Sequence, residues 1–240
     1  MPERKSLLPV PDVKSLKELL ISYLGLATLE RWDTGSAKGI EKLYEEIQEG
    51  ESKLYLHKSK GKKELLRQVR KASIDLYGID RDDKEYKLVE IAQSWTNGRI
   101  VDRREKQHSL TEKMKPREQP SETLKRALQE ELHLPEEILR KLNLSKNKYL
   151  RKREISPSES SFPNLLNDKT EFHFNRLTFR LNLGGELLYT GNDKGKILAF
   201  AWMPLSLNEE EQTKFKNAQY ERFIEGVKKL EGKTSTSPSS

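Results

Sequence analysis

Two apolar runs, residues 85–95 and 197–203, constrain the fold of this chain more than any other feature. The first alternates apolar and polar residues as a half-buried strand does, and the second is short, continuous and closed by Pro204, as a fully buried strand would be. An isolated hairpin is marginal in water, so both runs need a packed sheet to cover them. Thr96-Asn97-Gly98 supplies a turn after the first run, because Asn-Gly accepts positive φ, and residues 99–106 read as the returning strand. Residues 52–57, 65–77 and 170–181 carry further strand patterns. The first two of these are separated by a basic loop, residues 58–63, which can touch phosphate but equally guards a sheet edge against aggregation.

Helical spacing runs through Leu16, Leu19, Leu20, Tyr23 and Leu24 within residues 13–31, and residues 33–36 break it. Ser36 can cap a second helix over residues 37–48, striped by Ile40, Leu43, Tyr44 and Ile47. A charged helical run over residues 208–230 follows the last strand. These patterns predict an α/β chain, α+β in detail, with residues 1–36 as an N-terminal helical extension and 37–230 as the main domain. The Ser/Thr/Pro-rich end, residues 231–240, is expected to be a disordered tail.

The chain holds no cysteine, which excludes disulfides, thiolate catalysis and cysteine zinc sites. Its 240 residues are 34% apolar and 35% charged, a composition that predicts a modest core beneath heavily charged faces. The start, Met1-Pro-Glu-Arg-Lys-Ser6, lacks the apolar heart of a secretory signal, and no stretch has the apolar length of a membrane span, so a cytoplasmic protein without a membrane partner is expected. Residues 99–153 hold sixteen Lys or Arg against nine Asp or Glu, an excess equal to the formal +7 of the whole chain. Such a basic stretch suits a phosphate-bearing partner or a solvated face. Nucleic acid is a weaker reading, since only Tyr149 brings an aromatic ring into the basic run at 146–153. His57, His108, His133 and His173 are too scattered along the sequence to argue for a metal cluster.

Residues 112–134 combine several signals. Pro120, Ser121 and Glu122 suit a helix start, with Ser121 as the cap and Glu122 near the positive end of the helix dipole. Leu124, Leu128 and Leu132 recur every four residues as an apolar stripe. Arg126 and Glu130 share one column and Ala127 and Glu131 the next, so the helix is expected to show two adjacent carboxylates and a guanidinium on its polar side. The stretch resembles the Nudix box with Glu118, Arg126, Leu128, Glu130, Glu131 and Leu134 in place, but with Glu112, Ala127 and His133 where that family has Gly, Glu and Gly. Residues 110–118, 126–132 and 160–165 together resemble a group of Nudix-like proteins from plants and cyanobacteria that also lack the box Glu at the position of Ala127. Trp202-Met-Pro-Leu205 ahead of a terminal helix is similar to the ending of many Nudix domains.

The resemblance implies a Nudix-type α/β/α sandwich with a mixed central sheet and added N-terminal helices. It implies a hydrolase of a nucleoside diphosphate linked to another moiety, using magnesium or manganese, weakened or retuned by the missing carboxylate. Glu130 and Glu131 would then be the catalytic metal ligands, and Glu118 and Arg126 would brace the helix. Arg126, Lys113, Lys115 and Arg117 would meet the phosphates of a nucleotide-like ligand. A further ligand or base is sought among Glu159, Glu171 and Glu186. The alternative is a Nudix-fold module that binds a nucleotide or a partner and does not hydrolyse it. His133 stands where the family uses Gly, so it either strains the helix exit or changes it.

Overall fold

The computed structural model describes residues 5–32, 34, 38–59, 62–95, 98–106, 108–142, 144, 148–157, 161–180, 188–193 and 196–234. Its elements are β1 (Lys5–Leu7), α1 (Val13–Leu24), α2 (Leu26–Leu29), α3 (Ile40–Gln48), β2 (Ser52–Ser59), β3 (Lys62–Ile79), β4 (Glu85–Trp95) and β5 (Ile100–Asp102). There follow β6 (Leu110–Lys113), α4 (Pro120–Leu132), α5 (Glu136–Lys141), β7 (Tyr149–Pro157), β8 (Leu166–Arg180), β9 (Leu188–Asp193), β10 (Lys196–Pro204) and α6 (Glu209–Thr234). Helices and antiparallel ladders make the chain α+β, as expected. No helix among the described residues is long and apolar enough to cross a membrane.

The chain divides into two units. The first comprises Met1–Ala72, Glu112–Thr123 and Tyr149–His173, the second Ser73–Thr111, Leu124–Lys148 and Phe174–Ser240. The boundary expected at residues 36 and 37 falls inside the first unit, because α1 and α2 share a core with α3 and β2.

In the first unit Asp12 caps α1 by accepting the Ser15 N–H at 2.7 Å, and Leu16 and Leu20, one turn apart, are fully buried. The single helix expected over residues 13–31 is two, because Gly25 takes φ 80 and ends α1. The second helix starts at Ile40 with Gly39 as N-cap, while the cap predicted at Ser36 lies outside the described residues. Strand β2 pairs antiparallel with both β1 and β3, through to Ser59↔Lys62, so Lys58 and Lys63 are strand residues, and of the expected loop Lys60 and Gly61 lie outside the described residues. Leu16, Leu20, Leu43, Leu54 and Leu65 form the core with Trp32 and Phe162, whose rings lie 5.1 Å apart. The Trp32 indole also donates to the Pro163 carbonyl at 3.1 Å, which satisfies its one polar atom.

In the second unit the end of β3 turns back into β4 through Asp80–Asp83. Asp80 Oδ1 accepts the N–H groups of Asp82 and Lys84, both at 2.9 Å, and Asp83 takes φ 57. Strand β10 runs antiparallel to β4 over its whole length, with a bulge at Ala199/Phe200. Strand β9 pairs along the other side of β10, and β5 pairs with β4. The expected return strand is shorter than residues 99–106, because after Asp102 the chain bends so that Arg103 and Lys106 reach Glu90. Thr96 and Asn97 of the expected turn lie outside the described residues, and Gly98 beside them takes φ 79. Asn208 and Glu211 exchange hydrogen bonds at 2.9 and 3.0 Å as a capping box for α6, whose Phe223 and Val227 bury against Val89, Ile91 and Ala201.

Gly50, between α3 and β2, takes φ 74, and a Cβ there would come 2.2 Å from the Pro116 ring. Gly50→Ala adds both a left-handed residue and a clash that a rigid ring cannot relieve. It is expected to cost on the order of 2 kcal/mol, read as a lower urea midpoint with unchanged slope.

Candidate anion-binding site

The helix that carries the box pattern begins two residues ahead of where a Ser121 cap would start it, and it is capped differently. Pro120 is its first residue, and Glu122 reaches back to accept the Gln119 N–H at 2.8 Å, so Ser121 lies inside the helix and is not its cap. Leu124 and Leu128 are fully buried. Ala127 is 1% exposed, and the Oε2 of Glu131 is shut off from solvent. At about 100° per residue, Glu131 lies only about 20° round the helix from Leu124. Ala127 is therefore turned inward with the leucines, a correction to the polar side expected for it, and Glu131 is half-buried beside them with one oxygen shut off. Arg126 and Glu130 do share the outer column, 3.5 Å apart. Beyond the helix His133 takes φ 51, so it leaves by the left-handed route that glycine would serve, and the Leu134 N–H returns to the Leu128 carbonyl at 3.3 Å.

The residues ahead of α4 divide in role. Glu118 accepts the Lys115 N–H at 2.8 Å and closes a tight turn in which Arg117 takes φ 63. Lys115 and Arg117 are exposed. Lys113, read as a surface phosphate contact, instead makes ion pairs with Glu46 and, at 3.1 Å, with Glu51. Of the three further carboxylates considered, Glu171 pairs with Lys169 at 2.7 Å, while Glu159 and Glu186 lie outside the described residues.

Lys113 leads to a charged cluster in the first unit. Glu46, 1% exposed on the inner face of α3, is ion-paired with Arg67 of β3, with Lys38 at 2.9 Å and with Lys113. Ser52 donates its hydroxyl to Glu46 at 3.0 Å and accepts the Arg67 Nε–H at 3.0 Å. Arg67 also donates to Asn167 at 3.0 Å and lies 4.9 Å from the centre of the Phe162 ring. Burial pushes the Glu46 carboxyl pKa up, but Arg67, Lys38 and Lys113 together hold it well below the usual carboxylate range.

Alternation along β3 puts Leu65, Arg67, Val69 and Lys71 on one side of the strand. Lys71 is half-buried, and its ammonium pKa is pulled down to about 8, first by burial and then by the charges of Lys169, Arg67 and Lys113, with Glu171 opposing. Lys71 has neither a hydrogen bond nor an ion pair among the described residues. Lys169, Arg67 and Lys113 stand near Lys71 with Glu171 as the opposing acid, so positive charge is in surplus around its amine. The second unit has comparable buried acids without that surplus around an idle amine. Glu90 is held by Lys106, Arg103 and Gln93, and Asp75 by Lys87 at 3.1 Å with His108 at 3.5 Å.

The sequence reading did not single out Lys38, Glu46, Arg67, Lys71 or Lys169. The signal for two of them was present, since Arg67 and Lys71 interrupt the apolar file of Leu65 and Val69 on one side of a strand pattern. The sequence matches no protein-family model, and no curated protein matches it.

Glu46→Gln would leave three cations around a neutral amide, with an expected loss of roughly 3–5 kcal/mol. The folded Glu46 binds its proton more weakly than the unfolded one, so its contribution is complete above the ordinary value of 4.5 and fades as pH falls below it. Chemical denaturation against pH should show the variant without that part of the acid limb.

Proposed function

We propose that the chain is a binding module for a phosphate-bearing small molecule of nucleotide type, built on a Nudix-like frame and without hydrolytic turnover. The carrying observation is Lys71, an ammonium with no partner among the described residues that stands beside three other cations. A phosphate oxygen there would supply the missing acceptor and the missing negative charge together. Arg67 is held in place by Glu46, Ser52 and Asn167, so the cation beside Lys71 is fixed before the ligand arrives.

The magnesium that the resemblance implies does not fit the donors of α4. Magnesium keeps several waters and needs hard oxygens open to them. Glu130 is engaged with Arg126, the Oε2 of Glu131 is out of reach of water, and the third position is the buried methyl of Ala127. These features favour binding over metal-assisted hydrolysis.

Calorimetry with inorganic pyrophosphate and ADP tests the reading. Lys71→Met should weaken both by about tenfold or more, because one charge-assisted hydrogen bond is lost. Lys169→Met should weaken them less, since Lys169 already pairs with Glu171. Only the protonated Lys71 serves the anion, so affinity should fall as pH rises through about 8. Equal affinity in Lys71→Met, or no binding to the wild type, would sink the proposal. Phosphate release with magnesium or manganese that disappears in Glu131→Gln would restore the hydrolase reading.

A second test concerns the box itself. Ala127→Glu would place a carboxylate where only a methyl is buried, so it should destabilise by roughly 3 kcal/mol and create no turnover. Magnesium-dependent pyrophosphatase activity in that variant would show the inward column to be a retired metal site.

A further inference from the structure

The opposite side of the same strands carries a different arrangement. Arg70 lies on β3 between Val69 and Lys71, so its side chain takes the side away from theirs, and Phe172 on β8 likewise alternates with Glu171. The guanidinium carbons of Arg70 and Arg151 lie 5.5 and 5.8 Å from the centre of the one Phe172 ring, so both cations belong to one cluster around it. Tyr149 meets the same ring edge-on, with centroids 5.5 Å apart and planes at 80°. Tyr149, Arg70 and Arg151 are exposed, and β7 pairs with β8 alone among the described strands.

Charge balance sets this cluster apart from the later cations of β7 and from Lys169 on β8. Neighbouring cations have acids: Arg153 makes two bonds to Asp168, at 2.7 and 2.8 Å, Lys169 meets Glu171, and Lys152 meets Glu154 at 3.4 Å. Among the described residues neither Arg70 nor Arg151 has a carboxylate partner. Shielding Phe172 accounts for one arginine on its ring, while the second adds positive charge that no described carboxylate balances. Two guanidiniums, an exposed ring and a strand edge that no other described strand covers are the parts that bind a flexible polyanion with stackable groups.

We propose that this side of the first unit binds single-stranded nucleic acid, with Arg70 and Arg151 on phosphates of one strand and Tyr149 as the platform for a base. Aromatic stacking separates such a partner from an acidic peptide, and the need for an unstacked base separates it from a duplex. This surface lies apart from Lys71, which takes the other side of β3, so failure at one site leaves the other standing.

Fluorescence anisotropy with labelled oligo(dT) and oligo(U) provides the test, using the full chain. Arg70→Gln with Arg151→Gln should weaken binding about tenfold or more and lower the slope of log affinity against log salt by about 1.4, two phosphate contacts at about 0.7 each. Tyr149→Leu should weaken binding about tenfold with the salt slope unchanged, as lost stacking requires. Arg180→Gln, which removes an exposed charge paired with Asp83 in the second unit, should change neither. Preference for oligo(U) or for oligo(dT) would show that the 2′-hydroxyl or the thymine methyl is felt, and either supports the proposal. No binding by the wild type, equal loss in Arg180→Gln, or equal affinity for polyglutamate or for a duplex would overturn it. Circular dichroism and unchanged thermal midpoints establish that each variant is folded.

Discussion

The first unit depends on one carboxylate. Glu46 is removed from water, at a cost of several kcal/mol for a lone ion, and is tolerated because Arg67, Lys38 and Lys113 converge on it with Ser52 as an added donor. Those partners come from β3, from the segment ahead of α3, and from the end of β6, so one anion fixes the position of three parts of the chain that are distant in sequence. A buried ion pair of this kind adds little to stability beyond what apolar side chains of the same volume would give. Its effect is directional, since an arginine forked between Glu46, Ser52 and Asn167 has one placement where a leucine would have several.

That placement has an electrostatic consequence. Once Arg67 and Lys113 are drawn to Glu46, they stand with Lys169 around Lys71, and burial together with their combined charge weighs on its ammonium. A charged Lys71 therefore opposes folding below about 8, and the opposition fades as pH climbs toward the free-lysine value of 10.5. A site that costs stability when empty and would regain it with an anion is the thermodynamic form of a binding site. Around Glu90 the same device ends differently. There Lys106, Arg103 and Gln93 are used on the acid itself and the network closes, which is what a purely structural ion pair looks like.

Much of the scaffold was legible in the sequence, for reasons that particular residues make plain. The alternation in residues 85–95 and the apolar run to Met203 mark β4 and β10, and these pair along their full length. The breaks were harder to read. Gly25 splits a helix whose leucine spacing continues across it, because a single left-handed residue leaves no trace in periodicity. The cap of α4 was misplaced because Ser121 has the favoured chemistry, whereas Pro120 already has the fixed φ of a first helical residue. Strand β7, exposed along nearly all its length, has no buried side to impose an apolar alternation, so its pattern of charges read only as a basic run. Lys71 and Glu46 were missed for a different reason: their meaning lies in Arg67 and Lys113, which both of them feel and which gather only in the folded chain.

The box helix shows how a motif can survive in letters while its chemistry rotates away. Leucines at 124 and 128 settle which side of α4 is buried, and a helix turns by about 100° per residue, so every other position follows without freedom. Position 127 falls beside the leucine stripe, and alanine there packs without polar cost. A glutamate at 131 falls almost in line with Leu124, which explains why one of its oxygens is shut off from water. Arg126 and Glu130 lie on the column away from the leucines, and they pair with one another at 3.5 Å. Matching letters thus describe a helix whose acids are spent on packing and pairing, while Lys71, unmarked by any motif, keeps a charge that has no partner among the described residues. In this chain charge left over after folding is the better guide to where a ligand would act.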